Sequence, residues 1–280
     1  MKYGMNLLLW SAELSDDLLP VMESLKTMGY DGVEIPLFNL DLDYAAWGNK
    51  LDDIGLQRTA VTIRTPDDCK ISPDPAVRQA GIDASKRALD CCAAVGATHL
   101  VGPFHSALGQ FSGAGPTAEE WNHSVESMRP VAEYAGQLDI MLGIEPLNRF
   151  ETYLLNTMAD AARYARDVGH PNCGIMYDTF HANIEEKDIR QAIREGGDLI
   201  CHVHISENDR STPGSGNVDW TATFAGLQEI GYDGWLVVEA FGLALPELAA
   251  ATKIWRRMYD SEERLAWDAL EFMKNQAVPS

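Results

Sequence analysis

Met141-Leu142-Gly143-Ile144-Glu145, Gly174-Ile175-Met176-Tyr177-Asp178, Ile200-Cys201-His202-Val203-His204 and Trp235-Leu236-Val237-Val238-Glu239 are short apolar runs, each closing on an acidic or imidazole side chain. A run of about five apolar residues bounded by turn-forming residues reads as a strand buried on both faces. The segments between them carry helical spacing instead. Met158, Ala161, Ala162, Ala165 and Val168 line one helix face, and Gly169 and Pro171 follow as stop signals.

Reading back from these runs toward the N-terminus, the same alternation places strands over 4–9, 32–35, 57–63 and 99–102, ahead of 141–145, 174–178, 200–205 and 235–239. Strands that alternate with helices build a parallel sheet, and eight of them close it. The fold expected is therefore α/β, a (β/α)8 TIM barrel, as a single domain over residues 1–280 with no linker to divide it. Gly29-Tyr30-Asp31-Gly32 ahead of the second strand recurs as Gly231-Tyr232-Asp233-Gly234 ahead of the eighth, a faint echo of a repeated unit. A doubly wound open sheet would show a phosphate-binding glycine turn after an early strand, and none is present. The glycine-rich stretch 109–115 reads as a mobile loop over the barrel mouth.

Composition narrows the function. The 280 residues carry 22 basic and 42 acidic side chains, a net charge of −20, so a nucleic-acid backbone would be repelled over most of the surface. With 46% hydrophobic residues there is ample material for one core, yet no run long enough to span a bilayer. Cys69, Cys91, Cys92, Cys173 and Cys201 form an odd set without a C-x-x-C pair, which suits reduced thiols in the cytoplasm.

The chemistry lies at the strand ends. One polar residue closing a strand usually satisfies the sheet rim, but four in succession on neighbouring strands converge on one face of a barrel. Carboxylates brought so close repel one another unless a cation neutralises them, and an imidazole adds a neutral nitrogen donor. Glu145, Asp178, His204 and Glu239 therefore read as ligands of a divalent metal. The mixed oxygen and nitrogen set without thiolate suits Mn2+, with Co2+ or Mg2+ as substitutes. His202 shares the face of His204 but lies deeper, as a core or supporting histidine. His99, His105, His123 and His170 read as structural or exposed.

Around these residues the sequence resembles the ketose 3-epimerases of the D-tagatose, D-psicose (allulose) and L-ribulose type, in the xylose isomerase-like barrel superfamily. Glu145-Pro146-Leu147-Asn148-Arg149-Phe150-Glu151 resembles that family's E-x-x-N-R-F-E, and residues 178–186 its D-T-F-H-x-N-I-E-E. The stretch 202–210 resembles its H-x-H-x-x-E-x-N/D-R, and 234–241 its last-strand G-x-x-x-x-E-x-F. The resemblance implies epimerisation of a free ketose at C3, with Glu145 and Glu239 as the acid/base pair, and Glu151, His181 and Arg210 binding substrate oxygens. It also implies a homodimer or homotetramer, with a small sugar rather than nucleic acid or membrane as partner. Residue by residue, Glu151 could instead pair with Arg149, His181 could cap the following helix, and Arg210 could be a solvated loop residue.

The family's pattern thins at Asn6, where an aromatic is common, and over 103–109, which lacks the family's tryptophan. These departures bear on the sugar's distal end, where Trp10, Phe104 and Phe111 are alternative apolar walls. An aldose–ketose isomerase of the xylose or hydroxypyruvate type, a sugar dehydratase and a non-catalytic sugar-binding barrel are the competing functions. An endonuclease IV-like enzyme would need a basic surface and more histidine ligands.

Overall fold

A computed structural model describes residues 1–276. Its strands are β1 (Lys2–Asn6), β2 (Gly32–Pro36), β3 (Gln57–Val61), β4 (His99–Gly102), β5 (Met141–Ile144), β6 (Cys173–Asp178), β7 (Ile200–Ile205) and β8 (Trp235–Val238). All pair in parallel with their neighbours in chain order, and β8 closes on β1. The result is the (β/α)8 barrel; 277–280 lie outside the described residues.

Helices follow the strands on the outside: α1 (Leu19–Met28), α2 (Tyr44–Ile54), α3 (Pro75–Val95), α4 (Ala118–Gln137), α5 (Met158–Val168), α6 (Thr179–Glu185), α7 (Ile189–Gly196), α8 (Trp220–Glu229), α9 (Pro246–Thr252) and α10 (Glu262–Gln276). Capping chemistry fixes many of their ends. Thr117 and Glu120 form a reciprocal capping box at the start of α4, and Gly169 ends α5 in the left-handed conformation that the sequence signals there. None of these helices is long and apolar enough to cross a membrane.

Two apolar layers hold the fold. The larger lies between strands and helices. The smaller fills part of the barrel interior with Leu8, Val61, Val101 and Met176, reaching Phe241 beyond β8. Phe104 is fully buried in the larger layer, so it packs the core instead of walling the mouth. Phe111 is exposed beside Tyr153, and Trp10 is partly buried against the core.

The strand boundaries expected from sequence hold closely, with one exception of physical interest. β1 stops at Asn6, and Leu7–Leu9 turns into a short 3-10 helix, because Asn6 Oδ1 accepts a hydrogen bond from Leu8 N at 2.9 Å and caps the turn. The Gly29 and Gly231 echoes both adopt positive φ, +106° and +67°, at the turns entering β2 and β8, the two neighbours of β1. The loop 109–115 is mostly exposed, and Gly109 N donates to Glu151 O at 2.8 Å, which lays its start beside the loop after β5.

Candidate metal and active site

β6 and β7 are in register such that Asp178 pairs with His204, and β8 continues so that His204 pairs with Val237. Asp178 and Glu239 thus emerge on either side of His204 at the C-terminal rim. His204 Nδ1 lies 3.7 Å from Asp178 Oδ2 and 3.5 Å from Glu239 Oε1. Glu145, immediately after β5, faces His181 Nε2 at 3.5 Å, and the same nitrogen is 3.9 Å from Asp178 Oδ2. All five side chains are buried. Every sequence-derived ligand position therefore reaches one cluster, within which Asp178, His204 and Glu239, and separately Glu145, Asp178 and His181, present donor atoms close enough to hold one ion.

The cluster's electrostatics fit a cation. Burial, and then the facing carboxylates of Asp178 and Glu239, raise the Glu145 carboxyl well above the usual carboxylate range. Asp178, although buried, is held low by the Arg210 guanidinium and the neighbouring imidazoles. Burial also works against charge on His204, but Glu34 and Glu239 outweigh it and raise its pKa. His204 Nδ1 is buried without a hydrogen-bond partner, aimed between two carboxylates. A donor nitrogen, a set of crowded oxygens and no nearby thiolate are what a hard or borderline divalent ion requires.

The residues expected to bind substrate also arrive here, each by its own local device. Asp178 caps α6 by accepting from Phe180 N at 2.6 Å, so the cap is Asp178 and not His181, which sits one turn in. Asn148 N donates to His181 Nδ1 at 3.0 Å, leaving Nε2 toward Glu145 and 3.0 Å from Arg210 Nη2. Burial lowers the His181 pKa to about 3 against the pull of Asp178.

Arg210 Nη1 donates to Asp178 Oδ2 at 3.2 Å and to Glu239 Oε2 at 2.6 Å, while its guanidinium stacks 3.7 Å from the Phe180 ring. It is no solvated loop residue. Its backbone is left-handed, φ +63°, and the loop around it is gathered by buried Glu207, which accepts from Asn208 N, Gly214 N, Val218 N and Trp220 Nε1.

Glu151 lies at the edge of this group. Its Oε1 accepts from Asn148 Nδ2 at 2.8 Å, and Arg149 pairs instead with Glu185 at 3.0 Å. Asn148 therefore links Glu151 to His181, a larger part than loop fixing.

Sequence reasoning missed Glu34. It lies in the middle of β2, fully buried, with Oε1 2.6 Å from His204 Nε2 and Oε2 2.9 Å from His202 Nε2. The available signal was a lone acidic residue inside the apolar run Gly32-Val33-Glu34-Ile35-Pro36.

Barrel and cluster together define the class, and comparison with known proteins agrees: residues 22–276 match the xylose isomerase-like TIM barrel family. Ketose 3-epimerase from Arthrobacter globiformis is 33% identical over 99% of this chain and 96% of its own length. L-ribulose 3-epimerase from Methylomonas sp. is 31% identical over 99% and 98%. The crystal structure of D-allulose 3-epimerase from Methylomonas sp. in complex with D-allulose superposes with a TM-score of 0.94 at 31% identity, covering 99% of this chain and 97% of that one. The chain belongs to the ketose 3-epimerases within that barrel family, and is an enzyme of the isomerase class.

Proposed function

We propose that the protein epimerises a free ketose at C3, within the D-tagatose, D-psicose (allulose), D-fructose and L-ribulose class, using a divalent metal held by Glu145, Asp178, His204 and Glu239. The observation that carries this reading is a pair of buried triads that share Asp178, Asp178–His204–Glu239 and Glu145–Asp178–His181, each with donor atoms close enough to hold an ion. Mn2+ is the favoured ion, with Co2+ or Mg2+ able to substitute, because the donors are oxygen and nitrogen. When bound, the ion supplies Lewis-acid stabilisation of negative charge on the ketose oxygens.

The protein's own groups move the proton. Glu145 and Glu239 stand beyond β5 and β8, on either side of Asp178 and His204, so that one carboxylate faces each side of a substrate carbon lying across the cluster. One takes the proton from C3, leaving an enediolate, and the other returns a proton to the opposite face. Neutral His181 and charged Arg210 place hydrogen-bonding groups beside these carboxylates, where substrate hydroxyl and carbonyl oxygens would lie. Glu151, tied to His181 through Asn148, is the third substrate-binding group.

The free cysteines support a cytoplasmic location. Exposed Phe150 and Trp255 offer apolar surface for the homodimer or homotetramer.

Incubating metal-loaded protein with a panel of ketoses in D2O and locating the label by NMR tests the reading. Deuterium at C3 with appearance of the C3 epimer is expected. Label confined to C1 or C2 would establish aldose–ketose isomerisation in its place, and a panel without label would remove catalysis on these sugars.

A further inference from the structure

We infer that Glu34 is the positioning residue for the site: it clamps His204 from inside the barrel so that Nδ1, and not Nε2, is presented at the rim. The inference rests on the metal reading above and adds a residue to it. A histidine can offer either ring nitrogen, and the hydrogen bond made by one decides which the other presents. Glu34 Oε1 lies 2.6 Å from His204 Nε2, within the buried interior, and a carboxylate can only accept, so Nε2 carries the hydrogen. In the neutral ring, the form that can ligate an ion, Nδ1 is then the nitrogen with the lone pair, between Asp178 and Glu239.

Glu34 is itself met by donors on both carboxylate oxygens. Asn6 Nδ2 donates to Oε1 and Thr59 Oγ1 donates to Oε2, each at 2.9 Å, and His202 Nε2 faces Oε2 at the same distance. These partners come from β1, β3 and β7, so the clamp is braced on both sides of β2 and across the barrel. Asn6 is fixed in turn by accepting from Leu8 N, which turns its side chain down into this network. The residue at which the sequence departs from its family thus serves the clamp. His202, fully buried 5.4 Å from His204 between ring centroids, is the supporting histidine its position suggested.

An amide would keep an acceptor oxygen toward Asn6 and His204 and could turn its NH2 to Thr59 Oγ1, a hydroxyl able to accept, so the test substitution must remove the oxygens altogether. Titrating metal-stripped protein with Mn2+ and reading the free ion by EPR tests the clamp. Glu34→Leu, which leaves His204 Nε2 without an acceptor, should weaken Mn2+ binding by about 10- to 100-fold, the usual consequence of removing a partner behind a ligand. Thr59→Val, which removes one brace without changing shape, should weaken it less and guards against a Glu34 variant that fails to fold.

At saturating Mn2+ the ketose KM should stay near wild type in Thr59→Val. Wild-type Mn2+ affinity in both variants, with only a lower melting temperature of the metal-free protein, would make Glu34 structural and overturn the inference while leaving the metal site standing. A wild-type protein that binds no Mn2+ would overturn the metal reading itself, and the clamp with it.

Discussion

Glu145 and Glu239 differ from the other acidic residues of the cluster in where they stand: each follows the last residue of its strand, at the two flanks of the group, whereas Asp178 closes β6 and also caps α6. Asp178 therefore has one oxygen committed to the backbone of α6, whereas Glu239 meets the Arg210 side chain and Glu145 faces His181. Glu145→Gln and Glu239→Gln should each lower kcat by about 100-fold or more with folding intact, the range lost with a general acid or base. Steady-state kinetics at saturating Mn2+ measures this, and near-wild-type turnover in either variant would end the two-base scheme.

At this scale the four candidate ligands were legible because each closes an apolar run. Glu34 was not, because its part depends on which strands β2 faces across the barrel, information carried by closure and not by β2 itself. The partners of His181 were hidden for the same reason: Asn148 is 33 residues away along the chain.

The strands set the site through a few tight approaches. At the end of β4, Gly102 has φ +123°, and a Cβ there would lie 2.3 Å from Thr62 O, a backbone atom that cannot yield cheaply. Gly102 O accepts from Glu145 N, so the same residue fixes the start of the loop bearing Glu145. Gly102→Ala should destabilise the protein by about 1–3 kcal/mol through strain and overpacking, and weaken Mn2+ binding by displacing Glu145.

Gly113 also has positive φ, +83°, but open space around it, so Gly113→Ala should cost less and leave Mn2+ affinity unchanged. Urea unfolding and Mn2+ titration of the pair check this ordering; equal effects would contradict it. Strand order and extent were readable from apolar runs and helix stops. The early end of β1 was not, since it turns on the Asn6 side chain competing for a backbone N–H.

Over the whole molecule, neutral histidines that are buried or half-buried tie stability to pH. Burial lowers the His99 and His105 pKa values to about 3, with His202 adding to the effect at His99 and Lys70 at His105. The unfolded chain takes up these protons near its ordinary pKa of about 6.5, whereas the folded chain resists until about pH 3, so acid favours unfolding. The stability is present in full above about pH 6.5 and is lost as pH falls toward 3, by up to about 1.4 kcal/mol per pH unit for each group.

Urea midpoints should therefore fall between pH 7 and pH 5, and less steeply in His105→Gln, whose parent ring nitrogens are both buried without partners. A midpoint of His105→Gln with the wild-type slope would refute that origin. The net charge of −20 and the barrel class were visible in the sequence at this scale, while the burial of particular histidines required the packed helices.

The proposed catalysis depends above all on one ion being shared by side chains at the C-terminal ends of β5 to β8. Crystals grown with Mn2+ and measured on either side of its absorption edge would locate that ion directly. An anomalous peak within bonding distance of Glu145, Asp178, His204 Nδ1 and Glu239 is the result expected, at about 2.0–2.3 Å for oxygen and nitrogen donors. A well-ordered site with these four side chains in place and no such peak at saturating Mn2+ would contradict it.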